Sequence, residues 1–98
     1  MIIQGTHRAY FGADTVIAAF VRDDEGRKDL SGAEITAVLY LWQGKDVMRL
    51  DAEGTEEGRV SFTLEAAEAE RLLKPGIYTF RVVADGEVIY TGNLEMVG

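Results

Sequence analysis

A chain of 98 residues with 47% hydrophobic and 28% charged positions is long enough for one packed core and too apolar to be disordered. Its zero cysteines exclude a disulfide framework and any thiolate metal site. Its net charge of −7, from 17 acids against 10 bases, disfavours anionic surfaces, and Asp23, Asp24 and Glu25 interrupt the bases Arg22, Arg27 and Lys28, so no nucleic-acid partner is expected.

The first residues, Met1-Ile2-Ile3-Gln4-Gly5-Thr6, show no basic region followed by a long apolar run. Neither a secretory signal nor a membrane span is expected there, and no membrane partner. Residues 2–4 and 6–10 read as a short first strand broken at Gly5, and Gly12-Ala13-Asp14 as a turn. Residues 15–22 are apolar and partly β-branched, which predicts a strand. Asp23-Asp24-Glu25-Gly26 is a polar turn.

Residues 34–42 form the clearest strand. Ile35, Ala37, Leu39 and Leu41 alternate with Thr36, Val38, Tyr40 and Trp42. Alternation with both faces apolar predicts a central strand, or one whose outer face meets something else. After a turn at Gln43-Gly44-Lys45-Asp46, residues 47–51 predict a short edge strand, and 53–58 a polar loop. Residues 59–64 place Val60, Phe62 and Leu64 inward.

Residues 65–73 are strong helix formers without Gly or Pro. Leu64, Glu68 and Leu72, spaced by four, predict an edge that closes one end of the fold. Pro75-Gly76 ends that helix. In residues 76–84, Tyr78, Phe80 and Val82 alternate with Ile77, Thr79, Arg81 and Val83. Asp85-Gly86 predicts a two-residue type I′ hairpin. Residues 87–97 form the last strand, with Val88, Tyr90, Leu94 and Met96 on one face and Gly92 expected at a bulge.

The segment Lys74-Pro75-Gly76-Ile77-Tyr78 has the layout of a tyrosine corner, in which a Tyr early in strand F bonds back to upstream main chain. The fold class is therefore all-β. It is an immunoglobulin-like antiparallel β-sandwich of about seven strands with one short helix before strand F, a single domain over residues 1–98.

Catalytic chemistry finds little material. His7 is the only histidine, no G-x-S-x-G is present, and His7 is expected as an exposed strand residue. The acid clusters at Asp23-Asp24-Glu25 and at 51–57 do not follow the calcium-loop pattern. No carboxylate pair or phosphate loop stands out. No enzyme, metal or cofactor is expected. A small serine enzyme is the third reading, and labelling of Ser31 or Ser61 by a serine-reactive probe would revive it.

The strongest signal beyond the fold is apolar residues on the outward face. If Ile35 and Leu39 point inward, Val38, Tyr40 and Trp42 point out, and Ile77, Val83 and Ile89 extend that face. Trp and Tyr are enriched at interface hot spots. The expected interface is Val38, Tyr40, Trp42, Ile77 and Ile89. Cover by the chain's own N-terminal segment or helix stays open as the other reading.

The chain also resembles small immunoglobulin-like domains of tailed-phage and prophage structural proteins, with the N-terminal domain of baseplate upper proteins as a named member. The carriers are Gly12-Ala13-Asp14-Thr15, Asp29-Leu30-Ser31-Gly32-Ala33-Glu34-Ile35, Gly58-Arg59-Val60-Ser61-Phe62-Thr63-Leu64, Leu73-Lys74-Pro75-Gly76-Ile77-Tyr78 and Asp85-Gly86 leading to Tyr90-Thr91-Gly92. That family has Gly-Asp-Thr where this chain has Gly12-Ala13-Asp14-Thr15. The resemblance implies a non-enzymatic virion structural or assembly protein of tail, neck, baseplate or head decoration. Such a protein is made in the bacterial cytoplasm and docks in a symmetric oligomer with other virion proteins. A carbohydrate- or surface-binding sandwich, using Tyr40 and Trp42 for stacking, is the alternative. Replacing Trp42 by Ala is expected to leave the fold intact and weaken assembly; a variant that unfolds instead would place Trp42 in the core and invert the assignment of faces.

Overall fold

Strands form where apolar side chains alternate, because period 2 turns every second residue toward one layer of core. The structure, a computed structural model, describes residues 5–23, 26–27, 29–40 and 46–98. In chain order the elements are β1 (Thr6–Tyr10), β2 (Thr15–Phe20), β3 (Arg22–Asp23), β4 (Gly26–Arg27), β5 (Ile35–Tyr40), β6 (Asp46–Gly54), β7 (Arg59–Leu64), α1 (Ala66–Leu72), β8 (Gly76–Ala84) and β9 (Glu87–Val97). The expected strand at 2–4 and the residues Asp24, Glu25, Leu41 and Trp42 lie outside the described residues.

Hydrogen-bonded neighbours run β1-β9-β8-β5-β6-β7-β2, and β3 pairs with β4 apart from them. This ribbon of strands folds over at β6. From Asp46 to Ala52 that strand pairs with β5, and then Glu53 and Gly54 pair with Ser61 and Val60 of β7. Two layers result, β1-β9-β8-β5-β6 and β6-β7-β2. The expected short edge strand at 47–51 is therefore corrected to nine residues shared between both layers. Only β1 on β9 is a parallel pair among the described strands.

The core lies between the layers. Phe80, Leu39, Leu94, Met96 and Val82 from one side meet Val60, Phe62 and Leu64 from the other. The Phe62 and Phe80 rings meet edge to face at 5.3 Å, an arrangement favoured by the ring quadrupole. Two glycines make room for close approach. A β-carbon on Gly92 would stand 2.9 Å from the Phe80 ring, and one on Gly54 would stand 2.6 Å from Leu30 Cβ and 2.5 Å from Ile35 Cδ1.

Gly92 pairs in regular register with Phe80, so the expected bulge is not there. The register shifts instead between Val82 and Val83: Val82 faces Tyr90 and Val83 faces Val88, which leaves Ile89 as the extra residue. This reverses two expectations. Val88 is 51% exposed rather than inward. Ile89, expected on the outer face, packs against the core.

The turn chemistry agrees with the sequence. Asp85 and Gly86 both have positive φ, 49° and 87°, as a type I′ turn demands. At the corner, the Lys74 N–H donates to the Tyr78 hydroxyl at 2.9 Å, and that hydroxyl donates to the Lys74 carbonyl at 3.1 Å. The helix starts where an Asp14 carboxylate oxygen accepts from the Ala66 N–H at 2.8 Å. Its buried residues are Ala69 and, just past its end, Leu73. The expected inner edge through Glu68 is corrected to that pair, and the Leu72 side chain lies outside the description.

His7 is half-buried rather than exposed. It stands opposite Leu94 in register, with Nε2 3.0 Å from the Tyr90 hydroxyl and its ring 5.5 Å from that of Phe80. Burial pushes the imidazole below its ordinary pKa of 6.5. Burial also raises the Tyr90 phenol.

Three tests follow from this packing. Tyr78→Phe removes a donor and an acceptor at the corner and is expected to cost about 1–2 kcal/mol in urea unfolding. Gly54→Ala forces a β-carbon into Leu30 and Ile35 and is expected to cost about 1–3 kcal/mol. Because the folded pKa of His7 is depressed, its contribution is fully present above pH 6.5 and is lost as pH falls through the folded value. The midpoint of thermal unfolding should therefore drop as the pH falls below 6.5, and His7→Gln should flatten that slope.

Candidate docking surface

The outward side of the five-stranded layer is assembled from alternate residues of five strands. Register sets Val38 between Arg49 of β6 and Arg81 of β8, and Tyr40 beside Asp46 and Thr79. One carboxylate ties the arginines together. Asp46 Oδ2 accepts from Arg49 at 2.8 Å, and Oδ1 lies 3.7 Å from Arg81 Nη2. The Arg81 guanidinium sits 4.9 Å from the centre of the Tyr40 ring, in cation–π range.

This layer changes what the surface can offer. Val38 and Tyr40 are on the outward phase, but only 3% and 5% of each is exposed. Long arginine stems can cover apolar neighbours while the charged head stays in water. Trp42 lies outside the described residues, and Ile89 has turned to the core. Of the expected interface residues, Ile77 is openly displayed, at 65%.

Two further residues join it, Tyr10 and Val97. Tyr10 is 51% exposed and stands directly beside Val97 in the parallel register of β1 and β9. Ile77 is opposite Glu95, two residues from Val97, so Val97 is its diagonal neighbour across the pair. Tyr10, Val97 and Ile77 thus form an apolar corner, with exposed Pro75 preceding β8. The alternation Thr6, Arg8, Tyr10 carried that signal for Tyr10. Val88, exposed at the opposite end, depends on the bulge, which no alternation shows.

The rim of the corner is polar. Arg8 Nε donates to Glu95 Oε1 at 2.9 Å, and hydrogen bonding to Tyr10 and then to Glu95 holds the guanidinium above its ordinary pKa. Further along, the Thr79 hydroxyl donates to Asn93 Oδ1 at 3.4 Å. An apolar centre with a polar margin is how a docking patch is built.

The residues considered for catalysis are dispersed. His7 bonds to Tyr90, while the Ser31 N–H and hydroxyl donate to Asp29 at 2.9 and 2.7 Å, which lowers the Asp29 pKa. Ser61 sits in the β7 ladder opposite Glu53. Among the described residues no three His, Asp or Glu are grouped to hold a metal ion, and no helix is long and apolar enough to cross a membrane.

No protein-family model and no curated protein matches the chain. Solved structures do. A crystal structure of the Lin-41 filamin domain is 22% identical, with a TM-score of 0.56, over 92% of this chain and 82% of that one. A ZIG-8–RIG-5 IG1–IG1 heterodimer is 12% identical, with a TM-score of 0.48, over 97% of this chain and 83% of that one. With its two layers, its tyrosine corner and this likeness to a filamin domain, the chain has an immunoglobulin-like β-sandwich fold.

Proposed function

We propose that this chain is a non-enzymatic docking domain, a structural or assembly component of a tailed-phage or prophage particle. The observation that carries the docking role is Ile77, 65% exposed in an ordered strand beside Val97 and Tyr10. A β-branched residue held open on a rigid strand costs little entropy to bury against a partner. The particle context comes from the family resemblance of the turn and core residues. In a symmetric assembly one modest patch acts many times, so each contact need not be strong. The carbohydrate reading is weakened by Tyr40, whose ring is covered by Arg81 and almost inaccessible.

The pair Ile77→Asp and Tyr10→Ser tests this. Both positions are exposed, so each variant should unfold within about 0.5 kcal/mol of the parent. In gradient-purified particles from a host encoding the chain, the parent should be retained and the double variant lost from the particle fraction. A parent protein absent from the particles, or a double variant retained like the parent, would overturn the proposal.

A further inference from the structure

The two layers part where β6 changes partner, and they leave an open cleft of about 450 Å³ between β6 and β7. The ladder register tells which main-chain groups face into it. The Val21 N–H donates to the Gly58 carbonyl at 2.7 Å, so Val60 and every second residue after it turn toward β2. Arg59, Ser61 and Thr63 therefore turn the other way, and the Arg59 carbonyl accepts from the Thr55 N–H at 3.0 Å on that side. Ser61 is opposite Glu53, so Glu53 presents its amide toward β7, and Asp51 and Arg49 share that phase.

Pairing between β6 and β7 is confined to Glu53 and Gly54. Beyond that point Arg49 and Asp51 on one wall, and Thr63 on the other, have no strand beside them among the described residues. Open strand edges of this kind are templates for another strand. The floor is apolar, with Leu50 partly buried and Phe62 only 4% exposed. The walls are acidic. Asp51, Glu53, Glu65 and Glu68 line the cleft, and its one arginine, Arg49, already donates to Asp46.

We propose that this cleft binds an extended basic peptide, which adds to β6 as a strand through the main chain of Arg49 and Asp51. Alternate apolar side chains of the peptide would rest on Leu50 and Phe62, and its Lys or Arg side chains would meet the acids. Strand addition takes affinity from main-chain bonds and specificity from alternate side chains, which this geometry supplies from both walls. The site is separate from the corner at Ile77 and does not rest on the function proposed above.

The probe is a capped Lys-Val-Lys-Val-Lys-Val peptide titrated into the isotope-labelled whole chain and followed by amide NMR. Saturable shifts are expected at Arg49, Asp51 and Thr63, with slowed hydrogen exchange there and affinity that weakens with salt. Glu53→Lys with Glu68→Lys should lower affinity at least about tenfold while the amide spectrum stays dispersed. Methylating alternate peptide nitrogens should abolish binding without touching the protein. Equal binding of the Glu-Val counterpart, shifts centred on Ile77 and Tyr10, unchanged binding of the methylated peptide, or no saturation at millimolar peptide would each overturn the proposal.

Discussion

One strand belongs to both layers, and most of the molecule depends on how it does so. β6 pairs with β5 along most of its length and then with β7 at Glu53 and Gly54. The crossing needs a position without a side chain, because Leu30 and Ile35 pack where a β-carbon of Gly54 would stand. Leu30 is tied to the same corner: its N–H donates to the Thr55 carbonyl at 2.9 Å. This corner joins the layers along one side and brings Phe62 against Phe80 in the core. Because the layers are joined at only one end of β6, they diverge along the rest. The joint that makes the sandwich also leaves main-chain groups of β6 and β7 facing a cleft.

The outer face shows a second consequence of a shared strand. Asp46, at the start of β6, reaches two arginines from different strands, Arg49 and Arg81. Such part-exposed ion pairs contribute only about 0–1 kcal/mol each. Their larger effect is cover: the arginines flank Val38, and Arg81 lies over Tyr40. The apolar surface that stays open is displaced to the β1-β9-β8 side, where Arg8 is drawn to Glu95 and Ile77 stays 65% exposed. The molecule thus offers two surfaces of different chemistry, an apolar corner and an acidic cleft.

Much of this was legible beforehand, and the failures have identifiable causes. The Pro75-Gly76-Ile77-Tyr78 signal was read from turn chemistry, and its hydrogen bonds to Lys74 are local, so they hold in any packing of the layers. Asp85-Gly86 is local in the same way. Val88 and Ile89 were misplaced because a bulge shifts phase by one residue, and one residue exchanges the faces of a strand. The helix edge was misplaced by one position, since nine residues of good helix formers leave the facing stripe to packing. Sequence alone leaves His7 exposed, because the neighbours that bury it, Tyr90 and Phe80, come from the distant end of the chain.

The sequence by itself determined what depends on near neighbours along the chain. These are the strand alternations, the type I′ turn, the tyrosine corner and the inward phase of Tyr78, Phe80 and Val82. It also determined that Ile77 would stand on the opposite phase. Tertiary structure decided which outward residues are accessible, because that depends on Arg49, Arg81 and Asp46 meeting from separate strands. It decided the cleft for the same reason: the walls are β6 and β7, and only the crossing at Gly54 sets how far apart they lie. Local periodicity fixes the side of a strand on which a residue points, whereas exposure depends on what the rest of the chain brings to that side.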